Sequence, residues 1–296
     1  MPRTAVTGRT SLFSFVQLEF PWVLGPADGR YVLRAGPGSE PEHIVVLATL
    51  GAPRRHALRR RARRRPPAGA EPAPVATARA TVIDSARPLA HEDIAARWLS
   101  GLDEDQATAN GVNTVNRILF AHRIATADPH VHGVSRDRAL VVRGGFGTGP
   151  EVADGRWMAA RELVTAGAPR KRRTSALRPQ ERLARLLGGR DRALVCEELT
   201  LRARLDLEQE RLPHAALSLR DAYASALSEL AAEGRADLGD RLAELHDFNE
   251  QVRRAATRAA GAGGSPQEPI DEASLRHALG RLEAALRARS ATGFQD

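Results

Sequence analysis

Cysteine is almost missing from this chain. Cys196 is the only one among 296 residues, so no internal disulfide can form and no cysteine-based zinc site can be built. Lysine is almost missing too: Lys171 stands alone, and nearly all positive charge is arginine. Aromatic residues make up 4% of the sequence, so any core must rest on Leu, Val, Ile and Ala. No apolar run approaches the length of a membrane-spanning helix. The basic N-terminus, Met1 to Thr10, is followed by an apolar stretch broken by Ser14, Gln17 and Glu19, which argues against a signal peptide. A cytoplasmic protein without integral membrane association is the expectation, and the sequence calls for no cofactor.

Acidic residues are absent from one window. Between Glu42 and Glu71 lie Arg54, Arg55, Arg59, Arg60, Arg61, Arg63, Arg64 and Arg65. The net charge is +8, and taking out these eight arginines leaves 36 basic against 36 acidic residues. The surplus is therefore local. Prolines, alanines and arginines with few large apolar residues cannot bury enough surface to offset ordering entropy, so 51–75 is expected to be a flexible loop. A second basic stretch carries Arg170, Lys171, Arg172 and Arg173. Such segments attract phosphates through charge and released counterions, and arginine can fork two hydrogen bonds onto one phosphate. Neither holds an aromatic for base stacking, so contact with nucleic acid or another polyanion would be sequence-independent. The competing reading is a solvated loop enlarged by GC-rich codon usage.

What remains is patterned. Leu12 to Phe20 reads as a strand with Leu12, Val16, Leu18 and Phe20 on one face and Gln17 and Glu19 on the other. Further strands are expected at 30–34, 43–50, 78–84 and 138–143. A helix over 91–100 is expected to turn Ile94, Trp98 and Leu102 inward. A second helix comes after Asp103-Glu104-Asp105, with Val112, Val115, Leu119 and His122 on one face and Gly111 as its weak point. Beyond 178 only helical periodicity persists: one from Pro179 to Gly188-Gly189, one over 191–211, one over 214–232, one through Leu238 to Ala256, and one carrying Leu275, Leu279, Leu282 and Leu286. The fold class is α+β: a mixed domain of about five strands and two helices over 1–165, a basic linker over 166–176, and an all-α bundle of about five helices over 177–290.

Two groups of residues invite a chemical reading. "GGFGTG" places Gly144, Gly145, Gly147 and Gly149 after an apolar run, as a phosphate-cradling loop would. The spacing is G-x-G-x-G, however, and Pro150 and Asp154-Gly155 are turn signals where a dinucleotide site needs a helix start. The echo of "GPADGRYVLR" (25–34) in "GPEVADGRWMAAR" (149–161), with "GAPRR" at 51–55 and "GAPRK" at 167–171, favours two similar turns, with Tyr31 and Trp157 packing behind them, over a duplication. His122, His130 and His132 form the second group; His-x-His on an extended segment can hold a metal when both rings face one way. On the fourth bundle helix, His246 and Glu250 read as surface partners, and Cys196 as a buried hydrophobe. No G-x-S-x-G, H-E-x-x-H or paired-carboxylate motif is present, so the reading leans away from an enzyme. It expects a binding or assembly protein whose helical domain is a platform for a protein partner and whose arginine segments contact a polyanion. The alternative is an enzyme with a nucleotide or metal site near the glycines and histidines. A third possibility gives the last helix's leucine stripe to a partner.

Overall fold

The computed structural model describes residues 11–51, 75–163, 179–261 and 269–292. The chain divides into two units, Met1–Ala166 and Gly167–Asp296. The class is α+β, and all the strands among the described residues belong to the first unit.

In the first unit the strands are β1 (Leu12–Phe20), β2 (Gly29–Arg34), β3 (Pro41–Leu50), β4 (Thr77–Asp84), β5 (Val141–Thr148) and β6 (Ala159–Glu162); α1 (Glu92–Ser100) and α2 (Glu104–Thr126) lie between β4 and β5. The strands form one antiparallel sheet in the order β2-β3-β4-β1-β5-β6. Alternate residues point to opposite faces. One face carries Leu18, Phe20, Val45, Leu47, Ala80, Val82 and Val142, packed with Val112, Val115 and Leu119 of α2. Gly111 is no weak point. A Cβ there would lie 2.9 Å from Val16 Cγ1, so glycine lets the helix seat against β1. Asp103 starts α2 by accepting a hydrogen bond from the Gln106 amide at 3.0 Å.

The other face is covered more thinly. Phe15, Ile83 and Val152 cluster there with Trp157 packed against them; the Phe15 and Trp157 ring centroids are 5.7 Å apart. Gln17, expected on a solvent face, is fully buried and donates to Thr81 Oγ1 at 3.0 Å, while Glu19 accepts from Arg79 and Arg143. A central strand has no solvent side when both faces are covered. The phase of α1 also differs from expectation: Ala95 and Leu99 are buried, whereas Ile94 is exposed. Small Ala95 is the residue that permits close approach.

The fifth strand begins and ends later than expected, and the short sixth strand has no counterpart among the expected elements. Gly144, Gly145 and Gly147 are residues of β5 paired across the sheet, not a loop after a strand. The two Asp-Gly turns also differ. Gly155 ends a 3-10 helix over Gly149–Asp154 in the left-handed region, at φ +83°, whereas Gly29 opens β2. Tyr31 donates to the Ala27 carbonyl at 2.6 Å and packs on the α2 side, opposite Trp157.

The second unit contains α3 (Pro179–Leu187), α4 (Val195–Glu208), α5 (Leu212–Ala232), α6 (Gly239–Ala259) and α7 (Glu272–Thr292). Leu207, Leu219, Tyr223, Leu230, Leu245, Leu275 and Leu282 build one core. Tyr223 satisfies its hydroxyl by donating to the Ala278 carbonyl at 2.8 Å. Leu275, Leu279 and Leu282 are spent inside this core and Leu286 packs at its border, which removes the last-helix stripe as an interface. The helix expected over 191–211 starts at Val195, where Glu229 of α5 accepts from the Val195 and Cys196 amides at 3.0 Å each. Burial raises the Glu229 carboxyl, but those two amide bonds, together with the Cys196 thiol and the Arg192 charge, outweigh it and hold the group below its ordinary value.

Candidate functional site

The arginine segments come first among the expected sites. Arg54, Arg55, Arg59, Arg60, Arg61, Arg63, Arg64 and Arg65, and likewise Arg170, Lys171, Arg172 and Arg173, lie outside the described residues. Their effect on the charge of the rest is nevertheless definite. Of 44 Lys and Arg, 15 fall in 1–10, 52–74 and 164–178, leaving 29 in the described residues against 33 of the 36 acidic side chains. The described parts are mildly acidic and the surplus of positive charge is outside them.

The glycines offer no cradle. A Cβ on Gly144 would come within 2.9 Å of Leu102 Cδ2, one on Gly147 within 2.7 Å of Val152 Cγ1, and one on Gly145 would run into the Ala159 carbonyl oxygen and sit 2.8 Å from Phe15 Cζ. The space that a phosphate would need is filled by side chains and backbone. Gly149, at φ +64°, turns the chain after β5. The histidines do not assemble either. His122 is half-buried on α2 with its ring against Gly25, while His130 and His132 are exposed. Among the described residues no three His, Cys, Asp or Glu side chains are grouped as metal ligands. His246 bonds its own helix, through Leu242. Burial pushes the Cys196 thiol far up, which suits a core hydrophobe and not a nucleophile.

The structure brings together another set. A cleft of about 230 Å³ opens in the first unit between the α2 face of the sheet and the first half of α2. Val16, Val82, Trp98, Leu102, Ala107 and Gly111 give its apolar walls. Ala107 and Gly111 are one turn apart, and their small size leaves the room. Its polar side is a row of three residues from three strands. His43 pairs with Asp84 across β3 and β4. Ser14 lies one rung beyond the Phe15–Ile83 pair of β1 and β4.

Each member of the row has spare hydrogen-bonding capacity. Ser14 is 6% exposed, and its hydroxyl has no partner among the described residues. The buried Nδ1 of His43 has none either. Burial holds the His43 imidazole below its ordinary value, against the pull of the Asp84 and Glu42 carboxylates and with the help of Arg117 and Arg87. His43 is therefore neutral near pH 7, with one ring nitrogen to donate and one to accept. Asp84 Oδ1 accepts from the Ala86 and Arg87 amides at 3.1 Å each, and Oδ2 sits 3.4 Å from Arg87 Nε. No hydrogen bond links Ser14 to His43, and Asp84's strand runs between them, so the three do not form a nucleophilic triad. In sequence they are separated by 29 and 41 positions, and nothing in their local context marks them.

A second polar centre holds the helical unit. Arg289, 10% exposed at its side chain, pairs with Glu233 at 2.6 Å, Asp191 at 3.3 Å and Glu197 at 3.7 Å. Arg182 of α3 reaches Glu197 at 2.5 Å and Asp191 at 3.6 Å. Burial raises the Asp191 carboxyl, but the Arg192 amide and the Arg289 and Arg182 charges outweigh it and hold it below the usual range. With no fully buried side chain of its own, α3 depends on this network. Compared with known proteins, the chain matches no family model, no curated protein and no solved structure.

Proposed function

We propose that the protein is a non-enzymatic binding and assembly protein whose arginine-rich segments contact nucleic acid or another polyanion. The observation that carries this reading is the separation of charge. The described residues hold 29 basic and 33 acidic side chains, and the excess that makes the whole chain +8 is concentrated in 52–74 and 164–178. Within the helical unit, the arginines Arg182, Arg204, Arg211, Arg281 and Arg289 are each engaged by carboxylates. In sequence the two segments carry thirteen basic residues against the single acid Glu71. Full use of the eight charges at 54–65 on duplex DNA gives a salt slope of about −7.

A protein partner on the helical unit completes the proposal. Leu201 and Leu205 of α4 are 57% and 43% exposed one turn apart, and Leu183 and Leu187 of α3 are exposed as well. These leucines are left over after the core is filled, and they favour α3 and α4 over α7 as the platform.

Retention on heparin and on duplex DNA across a salt gradient tests the polyanion reading. Replacing Arg59, Arg60, Arg61, Arg63, Arg64 and Arg65 with Ser is expected to move elution to clearly lower salt while the circular dichroism spectrum is unchanged. Unaltered elution with the same spectrum refutes it.

A further inference from the structure

We propose that the cleft lined by Ser14, His43, Asp84 and Trp98 is a binding site for a small organic amine with a compact ring or aliphatic body. This goes beyond the polyanion reading and does not depend on it.

Size sets the first limit. The volume of about 230 Å³ is the liquid volume of about eight waters, and lies below the range of drug-sized pockets. It suits a single ring or short branched chain, on the order of a dozen non-hydrogen atoms. The walls set the second. Val16, Val82, Leu102, Ala107 and Gly111 offer nothing to hydrogen-bond, and the half-buried Trp98 indole presents an aromatic surface. An apolar body is matched there, and a cation is attracted by the aromatic face.

The polar row sets the third limit, the sign of the ligand. Asp84 and Asp103 are carboxylates on the lining, and among the described residues Arg87 is the only cation there. The Arg87 side chain is 86% exposed and lies 3.4 Å from Asp84 Oδ2, so it projects into solvent and leaves the cleft unfilled. The lining also carries Gln106 and Asn110, joined by a side-chain hydrogen bond, and Thr114, which donates to the Asn110 carbonyl; its charged acceptors are Asp84 and Asp103. An N–H-bearing ligand meets Asp84 and the unpaired Ser14 hydroxyl on the neighbouring strand. A carboxylate or phosphate would meet two carboxylates, Asp84 and Asp103, against the single cation Arg87. The Ser14 hydroxyl, on a residue 6% exposed, is left without a partner beside this opening.

The position of the row explains why these residues can stay unpaired. Neighbouring strands are about 4.8 Å apart, so Ser14 and His43, two strands from each other, stand about 10 Å apart at their backbones. They cannot satisfy each other, and Asp84 between them is committed at Oδ1 to the turn after β4. A ligand amine placed over Asp84 lies beside Ser14 on the next strand.

Benzylamine, benzyl alcohol and benzoate share one ring and differ in charge, so they are the probes. Each is titrated against the full chain by saturation-transfer NMR at about pH 7.5, where His43 is neutral. Benzylamine is expected to saturate with a Kd on the order of 1 mM, within the efficiency bounds of so small a molecule, and benzoate is expected not to bind. Asp84→Asn keeps an oxygen for the Ala86 and Arg87 amides and removes the charge; it is expected to weaken benzylamine about tenfold or more. Ser14→Ala is expected to weaken it severalfold. Ala107→Leu, which fills the floor, is expected to abolish binding of every probe. Circular dichroism of each variant confirms folding, and Asp84→Asn and Ser14→Ala remove no apolar contact. Failure of benzylamine to saturate, equal affinity for benzoate or benzyl alcohol, or unchanged affinity in Asp84→Asn each overturns the proposal.

Discussion

Replacing Arg289 with Met tests the ion network of the helical unit most directly. Methionine keeps most of the apolar stem and deletes the guanidinium. Asp191 and Glu197 keep Arg182 at 3.6 and 2.5 Å, but Glu233 loses its partner at 2.6 Å and keeps the field of Arg235. At an effective dielectric near 20, a pair at 3.3 Å is worth about 5 kcal/mol before desolvation. Breaking a buried pair from one side costs about 3–5 kcal/mol. The lower end applies here, because Arg182 remains and a polar opening of about 70 Å³ lets water reach the carboxylates. Cys196 supplies the assay. It is the chain's only thiol, fully buried in α4, so pulsed maleimide labelling reports opening of the helical unit alone. A loss of about 3 kcal/mol raises the labelling rate by about two orders of magnitude where opening is in rapid equilibrium. The pH dependence has a definite sign. The folded Asp191 carboxyl lies below its unfolded value of 3.8, so its contribution is complete above that value and disappears as pH falls through the folded one. The gap between wild type and Arg289→Met, measured by urea denaturation, is expected to shrink below about pH 4. Labelling within about threefold of wild type at neutral pH would refute the assignment of α3's anchorage to this network, since threefold is under about 1 kcal/mol.

Two further substitutions address the first unit. Gly145→Ala puts a methyl group into the Ala159 carbonyl and against Phe15, at a cost of about 1–3 kcal/mol or more by overpacking. Gly149→Ala meets nothing within 4 Å and costs only the roughly 1 kcal/mol of its left-handed φ; equal melting shifts for the two would contradict the packing account. Asn116→Ala removes a two-way clamp, in which Asn116 Nδ2 donates to the Val134 carbonyl at 3.0 Å and Oδ1 accepts the Val134 amide at 2.7 Å. Buried groups left unpaired on Val134 cost about 1–3 kcal/mol each, and amide exchange at Val134 is expected to accelerate selectively.

Much of the architecture is legible in the sequence, and the misreadings share a cause. Strands and helices with regular apolar spacing fall where expected, as at β1 and α5. Glycine in β5 reads as a loop signal because a missing side chain says nothing about what occupies its place; Phe15, Val152 and Leu102 do, and each comes from elsewhere in the chain. Size alone points Ile94 inward, yet the tight approach of α1 favours Ala95. Gln17 looks like a solvent residue because alternation cannot show that a second face is covered. The cleft is illegible for a stronger reason. Ser14, His43 and Asp84 become neighbours only through strand register, which no local pattern encodes.

The placement of β1 has a consequence for the order in which the sheet can be completed. β1 lies between β4 and β5. Once residue 84 is available, β1 to β4 can pair as a four-stranded ribbon, but the outer margin of β1 stays bare until residues 141–148 arrive. More than a hundred residues separate the partners Val16 and Gly144, and closing so long a loop is slow compared with forming the hairpins. During that interval Ser14, Val16 and Leu18 border an open backbone edge of the kind that recruits foreign strands. The glycine-rich strand, so like a nucleotide loop in sequence, is the piece that closes this edge.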